Sequence, residues 1–154
     1  MESEEVRNLR TAMSLRYLDN IQSSKKTYAA VLEPICRDYG LTRSEVDVIL
    51  FLANNPEYDR AADIVTIRGM AKSHVSLSVG NLEKRGLLVR QSESSDRRTA
   101  HLKLTEAALP VAEAAQARQQ QFFRQLFAGI SQEELVLWGN TLKKICGNIE
   151  SMQD

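Results

Sequence analysis

The chain has 154 residues, enough for one domain with a buried core and too few for two comfortable ones. Apolar residues make up 43% and charged residues 26%, the composition of an ordinary soluble globular protein, and no run of about 18 apolar residues offers a membrane span. The formal net charge of zero hides an asymmetry: from Arg68 to Lys103 eight basic residues face only Glu83, Glu93 and Asp96, a net +5, so a local cationic face for a polyanion stays open.

The N-terminus, Met1-Glu2-Ser3-Glu4-Glu5, is acidic where a secretory signal would be basic and then apolar, and a cytoplasmic location is expected. Leu9, Met13, Tyr17, Ile21, Tyr28, Val31 and Leu32 recur at helical spacing, which predicts a long helix from about Glu4 to Tyr39 with its last turns kinked at Pro34 and its end at Gly40. Cys36 near its end and Cys146 far downstream lack metal-site or CxxC spacing, so reduced structural thiols are expected.

Thr42-Arg43-Ser44-Glu45 has the capping-box pattern and opens a second helix with Val46, Ile49, Leu50 and Ala53 on its apolar face, stopped by Asn54-Asn55-Pro56. Asp59 is expected to cap a short third helix through Arg60–Ile67, with Gly69 supplying a turn. A fourth helix, Ala71–Arg85, carries Val75, Val79 and Leu82 on one stripe and closes at Gly86. Two short helices around a glycine-containing turn make a helix-turn-helix.

Two strands follow, Leu87–Gln91 and Thr99–Leu104, the second with Ala100, Leu102 and Leu104 alternating with polar residues. Between them Glu93-Ser94-Ser95-Asp96-Arg97-Arg98 is polar and turn-forming, giving a hairpin with a charged tip. Thr105 is expected to cap a fifth helix to about Ala128. The capping box Ser131-Gln132-Glu133-Glu134 opens a sixth, to roughly Glu150, with Leu135, Trp138, Leu142, Ile145 and Ile149 on one stripe. The fold class is therefore mainly α with a small β-hairpin: a winged helix-turn-helix flanked by N- and C-terminal helices.

On the fourth helix the side chains left outside the apolar stripe are Lys72, Ser73, His74, Ser76, Leu77, Ser78, Gly80, Asn81 and Lys84. Short polar groups let a helix approach a major groove closely; serine donates or accepts at any base edge, asparagine suits adenine, and an exposed leucine suits a thymine methyl. A plain solvated helix is poorly served by serines and a glycine. At the hairpin tip Arg97 and Arg98 can enter a minor groove, with Asp96 holding a guanidinium in one rotamer. An incidental solvated turn is the plainer alternative.

Leu41-Thr42-Arg43-Ser44-Glu45, Lys72-Ser73-His74-Val75-Ser76, Leu82-Glu83-Lys84-Arg85-Gly86-Leu87-Leu88, and Asp96-Arg97-Arg98 leading into Leu104-Thr105-Glu106 resemble the MarR family of bacterial transcription regulators. The resemblance spans nearly the whole chain and is most specific at the wing. It implies a homodimer on double-stranded DNA, with a dimerisation helix in residues 1–40, a winged-helix domain in 41–105 and further dimerisation helices in 106–154. The apolar stripes Leu9–Ile21 and Leu135–Ile149 would then be the dimer faces. It also implies DNA contacts from Lys72, Ser73, His74, Ser76, Leu77 and Asn81, a wing arginine at Arg98 supported by Asp96, and in many relatives a small anionic or aromatic effector that relieves repression. Many relatives carry arginine where this chain has Leu77 and Asn81, so their base preference does not transfer. The oxidant-sensing cysteine of other relatives lies near the start of the first helix, unlike Cys36. Tyr17, Tyr28, Tyr39 and Tyr58 could line a ligand crevice, but aromatics at helical spacing are more often core, so no effector residues are assigned.

An enzyme is not expected, since His74 and His101 lack partners at motif spacing and no phosphate-cradling glycine loop occurs. No cofactor and no metal site is expected either. The serious alternative is a winged-helix module that binds protein through its wing, because fold does not fix function.

Overall fold

A computed structural model of the chain describes residues 3–92 and 100–152, with residues 13–18 described by their backbone alone. The elements in chain order are α1 (Glu4–Tyr39), α2 (Arg43–Asn54), α3 (Ala61–Arg68), α4 (Lys72–Lys84), β1 (Leu88–Gln91), β2 (His101–Leu104), a short 3-10 turn (Glu106–Ala108), α5 (Leu109–Leu126) and α6 (Gln132–Ser151). The helix-turn-helix followed by a hairpin is a winged helix, and the fold is mainly α, as the periodicity implies. The chain divides into two compact units, Met1–Phe122 and Phe123–Asp154.

In the first unit α1 runs unbroken through Pro34, where a kink is expected from the sequence. It ends at Gly40, whose φ of 60° lets the Leu41 N–H reach the Cys36 carbonyl (2.8 Å) and the Gly40 N–H that of Arg37 (3.3 Å). The helix α2 starts on the reciprocal box seen in the sequence: Glu45 N–H donates to the Thr42 hydroxyl at 3.3 Å, and Glu45 Oε2 accepts from the Thr42 N–H at 2.8 Å. Its buried face is wider than the expected stripe, because Val48, Phe51 and Leu52 join Val46, Ile49 and Leu50 inside. The helix is thus wrapped by its neighbours, and the one-stripe reading describes a surface helix that α2 is not.

Two expected caps are corrected. Asp59 does not cap α3; its carboxylate lies 2.7 Å from His101 Nδ1, and the Arg60 N–H is met by Asp63 Oδ2 at 3.0 Å. Thr105 does not cap α5, because its hydroxyl donates to the Gly86 carbonyl at 2.6 Å and so ties the exit of β2 to the end of α4. In both cases a partner distant in sequence outcompetes the local N–H groups.

The core gathers Leu32 of α1, Val46 and Ile49 of α2, Ile64 of α3, Val75, Val79 and Leu82 of α4, Leu88 of β1 and Leu102 of β2. Burying each such side chain contributes about 1.5–3 kcal/mol, so α4 is seated mainly by its three apolar residues. Cys36 is buried at the edge of this core, where burial, reinforced by the charge of Glu33, pushes its thiol above the ordinary cysteine range. A thiol held protonated is a poor nucleophile, in keeping with a structural cysteine.

In the second unit α6 opens on its capping box, with the Ser131 N–H donating to Glu134 Oε2 at 2.8 Å and the Glu134 N–H to the Ser131 hydroxyl at 3.2 Å. That backbone N–H of Ser131 holds the Glu134 carboxyl below the ordinary range. Phe127 packs on Trp138, ring centroids 5.5 Å apart, and on Phe123.

Candidate nucleic-acid interface

The turn between α3 and α4 is built on Gly69, whose φ of 72° is left-handed backbone that only glycine takes at little cost. The helix α4 then presents Val75, Val79 and Leu82 inward, each at most 1% exposed. At 3.6 residues per turn the line directly opposite is Ser73, Leu77 and Lys84. Lys72, Ser73, His74, Ser76, Leu77 and Lys84 are all exposed, so most of the expected reading residues share one open face.

Two residues assigned to that face are placed elsewhere. Ser78 is buried, 4% exposed, because it sits one turn from Val75 and Leu82 on the inner side. Asn81 is half-buried, and its Nδ2 donates to Glu45 Oε1 at 3.1 Å. One of the two hydrogens on the amide nitrogen is thereby committed to Glu45, which draws the side chain toward α2. Glu45 is itself 4% exposed, so its carboxylate serves the start of α2 with one oxygen and α4 with the other.

The hairpin stands on a three-part base. The strands β1 and β2 pair antiparallel with Leu88 opposite Leu104 and Gln91 opposite His101. On the far edge of β2 an isolated bridge joins Arg60 to His101, and the Leu102 N–H donates to the Asp59 carbonyl at 2.6 Å. The Asp59–His101 side-chain contact closes the same corner. Asp96, Arg97 and Arg98, the expected wing residues, lie outside the described residues.

The cationic surface is narrower than the net charge of the segment suggests. Arg85 donates to the Gly40 carbonyl at 2.6 Å and the Tyr39 carbonyl at 2.9 Å, closing the end of α1 with a charge favourable to its dipole. Arg68 lies 3.4 Å from Asp47, which also holds Arg43 at 3.1 Å. Arg90 Nε is 3.3 Å from Glu83 Oε2 but is not aligned for a hydrogen bond. Lys72, Lys84 and Lys103 are exposed. These internal roles of Arg85, Asp59 and Glu45 escape sequence reasoning, since each partner is more than thirty residues away.

Between α3, α4 and β1 lies a cleft of ≈ 440 Å³. Its walls combine Val65, Val75 and Val79 with the hydroxyls of Thr66 and Ser76 and the cations of Lys72 and Arg90. Of the tyrosines, Tyr28 packs tilted on Phe122 with Arg43 5.2 Å above its ring, Tyr39 donates to the Pro110 carbonyl, and Tyr58 is 41% exposed. The side chain of Tyr17 lies outside those described. Among the described residues no cluster of three or more His, Cys, Asp or Glu is placed to hold a metal ion, and no helix is long and apolar enough to cross a membrane.

Residues 39–99 match the family model described as the MarR family. Solved structures share the fold along most of the chain. A MarR-family regulator from Listeria monocytogenes complexed with a 26mer DNA is 17% identical, covering 86% of this chain and 87% of that one, with a TM-score of 0.74. Staphylococcus aureus MarR in complex with salicylate and kanamycin is 17% identical, covering 91% and 94%, at 0.72. Bordetella bronchiseptica BpsR, whose DNA binding is regulated by 6-hydroxynicotinic acid, is 20% identical, covering 85% and 98%, at 0.66.

Proposed function

We propose, from the match of residues 39–99 to the MarR family and the shared fold, that the protein is a homodimeric, sequence-specific regulator of transcription acting on duplex DNA. The observation that carries the reading is the open face of α4: exposed Lys72, Ser73, His74, Ser76 and Leu77, mounted on a helix whose opposite side is fully buried. Such a helix is held by its core while its outer side stays open among the described residues. Lys72 and Lys84 serve phosphates, Ser73, His74, Ser76 and Leu77 meet base edges, and Arg97 and Arg98, with Asp96 supporting, reach the minor groove.

Dimerisation is supported by the apolar surface left on α1 and α6. Val6 and Leu9 are 49% and 57% exposed, and Val136, Leu137 and Trp138 are 64%, 68% and 53% exposed. Leaving that much apolar surface in water is unfavourable, and a second copy is the partner that supplies matching stripes. Two winged helices then occupy successive major grooves. Footprinting on a selected duplex is expected to show two related half-sites about one helical turn (~34 Å) apart, with two chains bound. Protection of a single groove by one chain would contradict the dimer.

The cleft between α3, α4 and β1 supports a small-molecule response, because Lys72 and Arg90 suit a carboxylate and the valines suit a ring. A ligand seated there would change the setting of α4 against the wing. Salicylate, the probe for this, is expected to release the duplex from the wild type and to lose that effect in Arg90→Gln. Release that persists undiminished in the variant would place the effector elsewhere.

The competing reading, a winged helix that binds protein, draws on the internally paired state of Arg68 and Arg85, which thins the cationic surface. It is separated by whether any duplex sequence is preferred.

A further inference from the structure

Resting on the reading of α4 as the groove-entering helix, we propose that Leu77 sets the base preference of this interface by packing on the 5-methyl group of a thymine in each half-site. Leu77 is 66% exposed, whereas Val75, Val79 and Leu82 of the same helix are at most 1% exposed. It stands in the line opposite the core, which is the line that penetrates deepest into a groove. On that line Ser73 precedes it by one turn, and Gly80 lies one turn after it, so the leucine stands clear of both. Gly80 has ordinary helical backbone, and among the described residues an added Cβ would meet nothing within 4 Å, so neither turn nor packing there calls for glycine.

The chemistry of the neighbouring side chains isolates the leucine further. Serine hydroxyls donate or accept at any base and discriminate weakly. Asn81, the one side chain here with bidentate geometry for adenine, has its amide nitrogen held by Glu45 at 3.1 Å. Leucine can neither donate nor accept, so over the amino group of adenine or cytosine, or the O6 and N7 of guanine, it removes water without replacing its hydrogen bonds. Thymine alone offers an apolar group in the major groove. The base preference of this line then rests on a hydrophobic contact that adds nothing to the salt dependence of binding.

The test begins with a duplex selected from a random pool by the full-length protein. Each thymine is then replaced in turn by 2′-deoxyuridine, which removes the methyl group and leaves every hydrogen-bonding group in place. At one thymine per half-site the wild type is expected to lose about fourfold in affinity, and about fifteenfold when both half-sites are changed, the equivalent of ~0.8 kcal/mol per methyl buried. Leu77→Ala, at an exposed position, is expected to keep the melting temperature of the wild type and to bind the thymine and uracil duplexes alike. Indifference of the wild type to uracil at every thymine would overturn the inference, as would a uracil penalty that persists undiminished in Leu77→Ala; in both results duplex selectivity survives and only the role of Leu77 falls. If selection returns no preferred duplex at all, the reading of α4 fails, and the inference falls with it.

Discussion

Arg98→Ala is expected to lower affinity for the selected duplex by roughly 30-fold or more, since a well-placed arginine contact contributes ~1–3 kcal/mol and a dimer loses two of them. Arg98 stands three residues before His101, the first residue of β2, which is fixed on both sides by Gln91 of β1 and by the Arg60 bridge. Melting temperature and dimer content are expected to stay near those of the wild type, as befits a side chain that serves the DNA rather than the fold. Anisotropy with a labelled duplex and a thermal melt check both halves. Unfolding of the variant would identify Arg98 as structural, and unchanged affinity would remove the wing from the interface.

Glu45→Ala is expected to destabilise the fold by about 2–4 kcal/mol, the combined cost of losing a helix cap and a charge-assisted hydrogen bond between α2 and α4. One carboxylate oxygen holds the Thr42 N–H at 2.8 Å and the other the Asn81 amide at 3.1 Å, with the side chain only 4% exposed. The loss should therefore appear in two helices at once. Denaturant unfolding of Glu45→Ala, Asn81→Ala and the double variant is expected to show coupling, the double variant falling short of the sum of the singles. Strict additivity would mean that the two residues stabilise the fold independently. Because Asn81 is engaged inward, Asn81→Ala is also expected to change duplex affinity through the setting of α4 rather than through one base pair.

Much of this architecture is readable from local signals. Capping boxes at Thr42 and Ser131 form as the sequence implies, and glycines at 40, 69 and 86 take the left-handed backbone that ends or turns a helix. The stripe Val75, Val79, Leu82 orients α4 correctly, because a helix seated on one face obeys its own periodicity. What escapes the sequence is long-range. Asp59 and Thr105 look like caps, since caps are recognised by neighbours three residues on, yet both are taken by partners across the fold. Ser78 and Asn81 look outward because they are polar, and are drawn in by a one-turn offset from the core stripe and by Glu45. Likewise Arg85 counts as surface charge in the sequence and serves as a clamp on the end of α1 in the structure.

The central question for this protein is whether its α4 face binds duplex DNA specifically through phosphates and bases together. The direct measurement is the affinity for the selected duplex and for an unrelated one across a range of salt concentrations. With about six or more phosphates neutralised by the dimer, log K should fall against log salt with a slope of about −5 or steeper, near −0.9 per phosphate. The selected duplex should bind at least ~10³-fold more tightly than the unrelated one throughout. A slope near zero together with equal affinity for both duplexes would contradict specific DNA binding and leave a winged helix whose partner is a protein.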